Sequence, residues 1–244
     1  DCICNSILDD KIDNIRCIKD ESEIDKIAKA QEITEKSYLE VLNYLKPGVS
    51  ERRVALELEH LIKLNGGEGV SFDLITITGK KTSLPHGVPS DDIVSEGDFF
   101  TFDIGSIFEG YHSDTTRTVA VKSASEEMRK VYDTVLKAQL AVLDGVKSGA
   151  KCSDVDKIAR DIISENGYGK YFGHATGHGV GLDIHESPVV SPRSETTLKK
   201  DMIITDEPGI YLPGKFGVRI EDMLCVTDTG YKNFVSLPKE LIIV

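Results

Sequence analysis

The reading of the fold begins at Asp98-Phe-Phe-Thr-Phe-Asp103-Ile-Gly105 and its continuation Gly110-Tyr-His-Ser-Asp114-Thr-Thr-Arg117. Two β-rich runs flank a short Gly-bounded connection, which predicts an antiparallel hairpin. A turn centred between Phe108 and Glu109 would set Asp103 directly across from Asp114. Opposed residues carry their Cβ atoms about 4.5–5.5 Å apart, and like charges there destabilise a sheet. A second hairpin repeats the problem. Asp206-Glu207-Pro-Gly-Ile-Tyr211 leads into Pro213-Gly214 and returns as Gly217-Val-Arg219-Ile-Glu221-Asp222. Centred on Gly214, it places Glu207 opposite Glu221, while strand alternation turns Asp222 to the other face.

Outward from these hairpins, helical periodicity runs over Glu21 to Leu45, with Ile24, Ile27, Ile33, Tyr38, Leu39, Val41 and Leu42 on one broad face. Ser50 opens a second helix that ends at Asn65-Gly66-Gly67. Helices return over Ser125 to Lys147 and Ser153 to Asn166. Strands are expected over Val70 to Thr78, Asp98 to Ile104, Tyr111 to Val121, Met202 to Tyr211 and Val218 to Thr227. The order helix, helix, strands thus occurs twice at an offset of 101 residues: Gly48 matches Gly149, Leu39 matches Leu140, Val54 matches Val155 and Asn65 matches Asn166. This predicts an α+β fold of two pseudo-symmetric halves, about 20–122 and 123–244, facing each other across a cleft. Symmetry would then carry four acids into that cleft, a repulsion that divalent cations relieve.

A third segment, Phe172-Gly-His174-Ala-Thr-Gly177-His178-Gly-Val-Gly181-Leu-Asp-Ile-His185-Glu186, adds histidines among glycines that permit close backbone approach; Leu84-Pro-His86-Gly87 adds another. One histidine with four carboxylates is a hard, oxygen-dominated donor set suited to Mn²⁺ or similar ions. Two metals about 3.5–4 Å apart could share a hydroxide for hydrolysis. Any one of these acids alone reads as a solvated or capping carboxylate, and Arg219 alone as a surface charge; the joint pattern carries the functional reading. Phe99, Phe100, Phe102 and Tyr111 read as core or cleft wall.

Composition narrows the partners. The chain has 244 residues, 29 Lys+Arg and 41 Asp+Glu, for a formal net charge of −12. An acidic surface without basic clusters argues against nucleic-acid or anionic-membrane partners, and no apolar run approaches the ~20 residues of a transmembrane helix. Five cysteines, with Cys2-Ile3-Cys4 too closely spaced for a CxxC motif, fit reduced thiols in the cytoplasm. The polar N-terminus lacks a signal-peptide core, and the missing initial Met is expected to reflect a removed upstream segment.

Taken together, Leu84-Pro-His-Gly, Phe102-Asp-Ile-Gly, Ser113-Asp-Thr-Thr-Arg-Thr, Thr176-Gly-His-Gly-Val-Gly-Leu-Asp-Ile-His-Glu, Glu207-Pro-Gly-Ile-Tyr and Gly217-Val-Arg-Ile-Glu-Asp resemble the pita-bread metallopeptidases, in the Xaa-Pro aminopeptidase and prolidase branch. The resemblance covers about Ile15 to Val244. It implies that Asp103, Asp114, His178, Glu207 and Glu221 ligate two divalent ions, most commonly Mn²⁺, with Zn²⁺ or Co²⁺ as alternatives, and that Asp114 and Glu221 bridge them. The activity expected is cleavage between an N-terminal residue and a following proline by a bridging hydroxide, as an Xaa-Pro aminopeptidase. The alternatives are a dipeptidase (prolidase) or a catalytically silent peptide- or protein-binding domain of the same fold. Glu207 is the expected base and proton shuttle. His185 and His86 would donate hydrogen bonds to substrate and intermediate, Arg219 would orient a ligand carboxylate, and His174 would line the proline pocket. The partner expected is a proline-containing peptide, with homodimerisation of the longer protein. Two departures stand out: Asp206 occupies a position that is usually apolar, and the N-terminal domain usual in the branch is not in this chain, which is read as a single catalytic domain over 1–244.

Overall fold

The computed structural model describes residues 11–244, so the Cys2-Cys4 spacing and the polar N-terminus lie outside the described residues. A helical segment over 11–17 precedes helix α1 (Glu21–Val41). Asp20 caps α1 with a reciprocal capping box: its carboxylate accepts from the Glu23 backbone while the Glu23 side chain accepts from Asp20. The helix ends at Val41, four residues short of the expected Leu45, because Leu42 to Tyr44 turn before Pro47. Helix α2 (Glu51–Leu64) is capped by the Ser50 hydroxyl, which accepts from Arg53. Helices α3 (Glu126–Gly145) and α4 (Cys152–Glu165) repeat the pair. From α2 to α4 the offset is 101 residues at both ends. Gly48 and Gly149 share a positive φ, +95° and +89°, as do Gly66 and Gly167, at +102° and +86°. A side chain at those turns would be strained, which is why the glycines recur with the helices. Leu39 and Leu140, grouped with the buried matches from periodicity, are 53% and 46% exposed; the apolar stripe of each helix is narrower than its hydropathy.

The strands are β1 (Gly69–Val70), β2 (Ile75–Thr78), β3 (Phe99–Ile104), β4 (Ser106–Phe108), β5 (Tyr111–His112) and β6 (Thr115–Ala120) in the first half. In the second they are β7 (Gly177–Gly179), β8 (Glu186–Val190), β9 (Ile203–Asp206), β10 (Gly209–Leu212), β11 (Phe216–Arg219), β12 (Asp222–Val226) and β13 (Tyr231–Asn233). They form the sheets β1-β4-β5, β2-β3-β6, β10-β11 and β13-β12-β9-β7-β8, all antiparallel. Helices and antiparallel sheets occupy separate layers, so the architecture is α+β. Two apolar clusters hold it together. One packs Ile27, Tyr38, Leu58 and Ile62 of α1 and α2 on Phe100 and Phe102, with the Tyr38 ring edge-on to Phe102 at 5.3 Å. The other packs Val131, Val135, Val155 and Ile163 of α3 and α4 on Phe99, Ile210 and Val218. Among the described residues no helix is long and apolar enough to cross a membrane.

The first hairpin differs from expectation in register. Glu109 and Gly110, with φ of +47° and +79°, form the turn, a pair of positive φ values that suits the twist of a tight hairpin. Asp103 therefore faces Thr116 instead of Asp114. The slip moves each partner by two residues, and a side-chain period of two leaves both acids on one face. The second hairpin keeps the expected register: Gly209 faces Arg219 in β10-β11 and Asp206 faces Asp222 in β9-β12.

Candidate metal centre

The expected continuous strands are broken at the residues of interest. Asp114 lies between β5 and β6, Glu207 between β9 and β10, and Glu221 between β11 and β12. At each break the main chain leaves the ladder and points a carboxylate inward. His178 sits mid-strand in β7, pressed between neighbours because glycine flanks it on both sides. A Cβ on Gly177 would lie 2.0 Å from the Thr205 carbonyl oxygen, and one on Gly179 would lie 2.3 Å from that of Ser187.

These side chains converge. One ligand atom each from Asp114, His178 and Glu221 lies within 4.8 Å of the other two. His178 Nε2 is 3.5 Å from Asp114 Oδ2 and 3.4 Å from Glu207 Oε1. Its Nδ1 contacts the Gly179 carbonyl at 3.0 Å, which fixes the proton on Nδ1 and leaves Nε2 as an acceptor for a cation. Asp103 is held by the Arg219 guanidinium, which also donates to the Tyr211 hydroxyl at 2.7 Å and to Thr116 Oγ1 at 3.0 Å. Thr116 in turn donates to Glu221 Oε2 at 2.6 Å. Arg219 thus braces Asp103 directly and Glu221 through Thr116.

The donors fit a cation. Burial, together with the charges of Asp103 and Glu207, pushes the Asp114 carboxyl well above the ordinary range. Burial and the Asp114 charge do the same to Glu221, and burial raises Glu207. Among the described residues Asp114 Oδ1 is buried without a hydrogen-bond partner, a costly state for a carboxylate unless a cation takes it up. An oxygen-rich set with one imidazole matches hard divalent ions.

A cleft of about 780 Å³ opens over this cluster, lined also by His86, His174 and His185. The His185 ring lies 4.4 Å from that of His178; burial, with the neighbouring His178, lowers its basicity. His174 Nε2 is 2.9 Å from the Tyr211 hydroxyl, and burial, with Arg219 nearby, lowers its pKa to about 4. It is neutral at pH 7. All nine residues singled out in the sequence therefore line one cleft. Asp206 does not: it is buried on the opposite face, against Asp222. Sequence reasoning passed over Tyr211, which links His174 to Arg219, and Arg16, which reaches the cleft from the segment over 11–17. Tyr211 was legible, since it lies two residues before the Pro213-Gly214 turn and four after Glu207. Arg16 had no local signal.

The model of metallopeptidase family M24 matches residues 25–228. The chain belongs to metallopeptidase family M24. It is 45% identical over 235 residues to a protein of Pyrococcus furiosus named Xaa-Pro dipeptidase, covering 96% of this chain and 68% of that relative. Among solved structures it resembles an X-Pro aminopeptidase from Thermotoga maritima, with a TM-score of 0.95 and 41% identity over 97% of this chain and 67% of that one. It also resembles an Xaa-Pro dipeptidase from Bacillus anthracis, with a TM-score of 0.94 and 45% identity over 96% and 66%. The M24 chain thus has the pita-bread fold of these neighbours and spans about two thirds of their length.

Proposed function

We propose that this M24 chain is a single catalytic unit that hydrolyses the bond between an N-terminal residue and a following proline, with the Xaa-Pro dipeptide as its substrate. The relative named Xaa-Pro dipeptidase favours the dipeptide over the aminopeptidase substrate first expected; the X-Pro aminopeptidase neighbour keeps the longer peptide as the second reading. The observation that carries the proposal is the convergence of Asp114, His178 and Glu221 in one buried cluster where Asp114 Oδ1 has no partner. A catalytically silent domain would have no need to keep so costly an arrangement.

Asp103, Asp114, His178, Glu207 and Glu221 would hold two divalent ions, Mn²⁺ first. Such ions supply Lewis acidity and a hydroxide nucleophile near neutral pH. The chain's own groups do the rest. Glu207, made more basic by burial, takes the nucleophile's proton and passes it to the departing proline nitrogen. His185 and His86 donate hydrogen bonds toward the carbonyl oxygen as it gains charge. Neutral His174, fixed by Tyr211, lines the proline side of the cleft, and Arg219 fixes Asp103. Buried free thiols at Cys17, Cys152 and Cys225 suit a reducing compartment such as the cytoplasm. The test is an assay of Leu-Pro beside Leu-Pro-Gly with added Mn²⁺. Cleavage of the dipeptide is expected to dominate; preference for the tripeptide supports the aminopeptidase reading, and cleavage of neither overturns both.

A further inference from the structure

A dipeptide ending in proline brings a free carboxylate only three bonds beyond the carbonyl carbon that is attacked. The cleft is a poor place for it. Eight carboxylates line it among the described residues; four are those proposed to hold the metal ions, and the other four, Asp13, Asp73, Asp183 and Glu186, stand against two guanidiniums, Arg16 and Arg219, and no lysine. Arg219 is 4% exposed and fully engaged, by Asp103, Thr116, Tyr211 and the Pro85 carbonyl. His174 is held toward its neutral form. Arg16 is placed differently. Its Nη2 donates to Glu186 and, at 2.7 Å, to Asp183.

Those two partners are unequal. The Glu186 side chain is 6% exposed and pinned from the other side by Lys19 at 3.0 Å, so it holds the guanidinium in place. The Asp183 side chain is 68% exposed, and an exposed pair of this kind contributes at most about 1 kcal/mol. The guanidinium is therefore oriented by a buried anchor and occupied at the cleft by a weakly held carboxylate. Among the described residues its Nε is buried and unpaired as well. Glu186 directly follows His185, whose ring lies tilted against that of His178, so the arginine is anchored to the segment that borders the metal cluster.

We propose that Arg16 is the substrate-carboxylate site: the C-terminal carboxylate of the peptide displaces Asp183 from the guanidinium while Glu186 and Lys19 keep it aimed. This rests on the Xaa-Pro reading above and deepens it, because it selects substrates that end at proline. No bond is made or broken; one ion pair is exchanged for another.

The test compares Leu-Pro with its C-terminal amide, which lacks the charge, on the Mn²⁺-loaded protein. Arg16→Met is expected to raise KM for Leu-Pro by about tenfold to a hundredfold, the worth of one charge-assisted hydrogen bond. The kcat for Leu-Pro, and KM for the amide, should stay within about twofold. Arg16→Lys should recover part of the loss. Asp183→Asn, at an exposed position that folding tolerates, should lower KM for Leu-Pro up to about fivefold and leave the amide unchanged. Equal shifts on the two substrates, or an unchanged KM for Leu-Pro in both variants, would overturn the assignment. Failure of the underlying reading looks different: the wild-type protein then cleaves neither compound, or cleaves the amide at least as well as Leu-Pro. Calorimetric binding of proline against prolinamide, to wild type and Arg16→Met, decides the role of Arg16 in that case. A preference for proline that Arg16→Met abolishes upholds it, and an unaffected preference refutes it.

Discussion

Two pairs of carboxylates sit one residue apart, one pair at the ends of β9 and β12 and the other just beyond them, and meet opposite fates. Glu207 and Glu221 turn toward the cleft; Asp206 and Asp222, directly paired across β9 and β12, turn away from it. The inner pair is neutralised from within. Asp222 receives the Arg117 guanidinium at 2.8 Å, the Lys239 ammonium at 2.7 Å and the Asn233 amide at 2.6 Å, and Gln139 donates to both aspartates. Arg117 is itself among the largest fully buried side chains, with its remaining donors on main-chain oxygens of Thr116, Glu221, Leu237 and Pro238. On the cleft side the nearest permanent cation, Arg219, holds Asp103, and Asp114 keeps an unpartnered oxygen. Neighbouring positions thus separate an acid pair offset by the chain's own cations and amides, with Asp206 Oδ1 unpartnered among the described residues on a carboxyl pushed toward its neutral form, from a pair facing a cleft whose donor set suits divalent ions.

The sharpest way to break this contrast is Glu207→Gln. It should leave the melting temperature near that of the parent while kcat for Leu-Pro falls by about 10²-fold or more, the loss of a general base. An unchanged kcat would move the base elsewhere. On the other face, Asp222→Ala should cost about 3–5 kcal/mol of stability, because it strands the buried Arg117 charge; urea unfolding measures it, and a loss under 1 kcal/mol would contradict the pairing.

A smaller effect separates the pairs by pH. The folded, metal-free protein holds Asp114, Glu207 and Glu221 at raised pKa values, so above the ordinary carboxylate range it binds more protons than the unfolded chain. Its stability should therefore fall as pH rises from about 5 to 8. Metal binding needs the deprotonated carboxylates, so the gain in melting temperature on adding Mn²⁺ should widen over the same interval. A gap that stays constant with pH would count against the cluster as a cation site. The smallest effect belongs to Asp206, whose carboxyl is driven well above its ordinary value by burial and by Asp222. That shift favours the neutral form, so Asp206→Asn, which keeps an acceptor for Gln139, should change stability by no more than about 1 kcal/mol at pH 7.

Much of this was legible before any coordinates, for identifiable reasons. Helix pairs announced themselves through periodicity and through turns at Gly48, Gly66, Gly149 and Gly167, where φ is positive. The face shared by Asp103 and Asp114 survived a wrong register because the error was an even number of residues. The strand breaks at Asp114, Glu207 and Glu221 were hidden, since hydropathy continues across them. Asp206 stood out only as an acid at a usually apolar position, and its pairing with Asp222 places it on the far face. Arg16 was invisible because its partners Asp183 and Glu186 lie 167 and 170 residues away; such a contact exists only after the two halves close.

The most direct test of the central claim, that the cleft acids hold divalent ions which drive Xaa-Pro cleavage, is the rate of Leu-Pro hydrolysis after exhaustive chelation and stepwise return of Mn²⁺. The account predicts no turnover in the chelated protein and a rise that saturates near two equivalents of metal per chain. Full turnover in the chelated protein would contradict it.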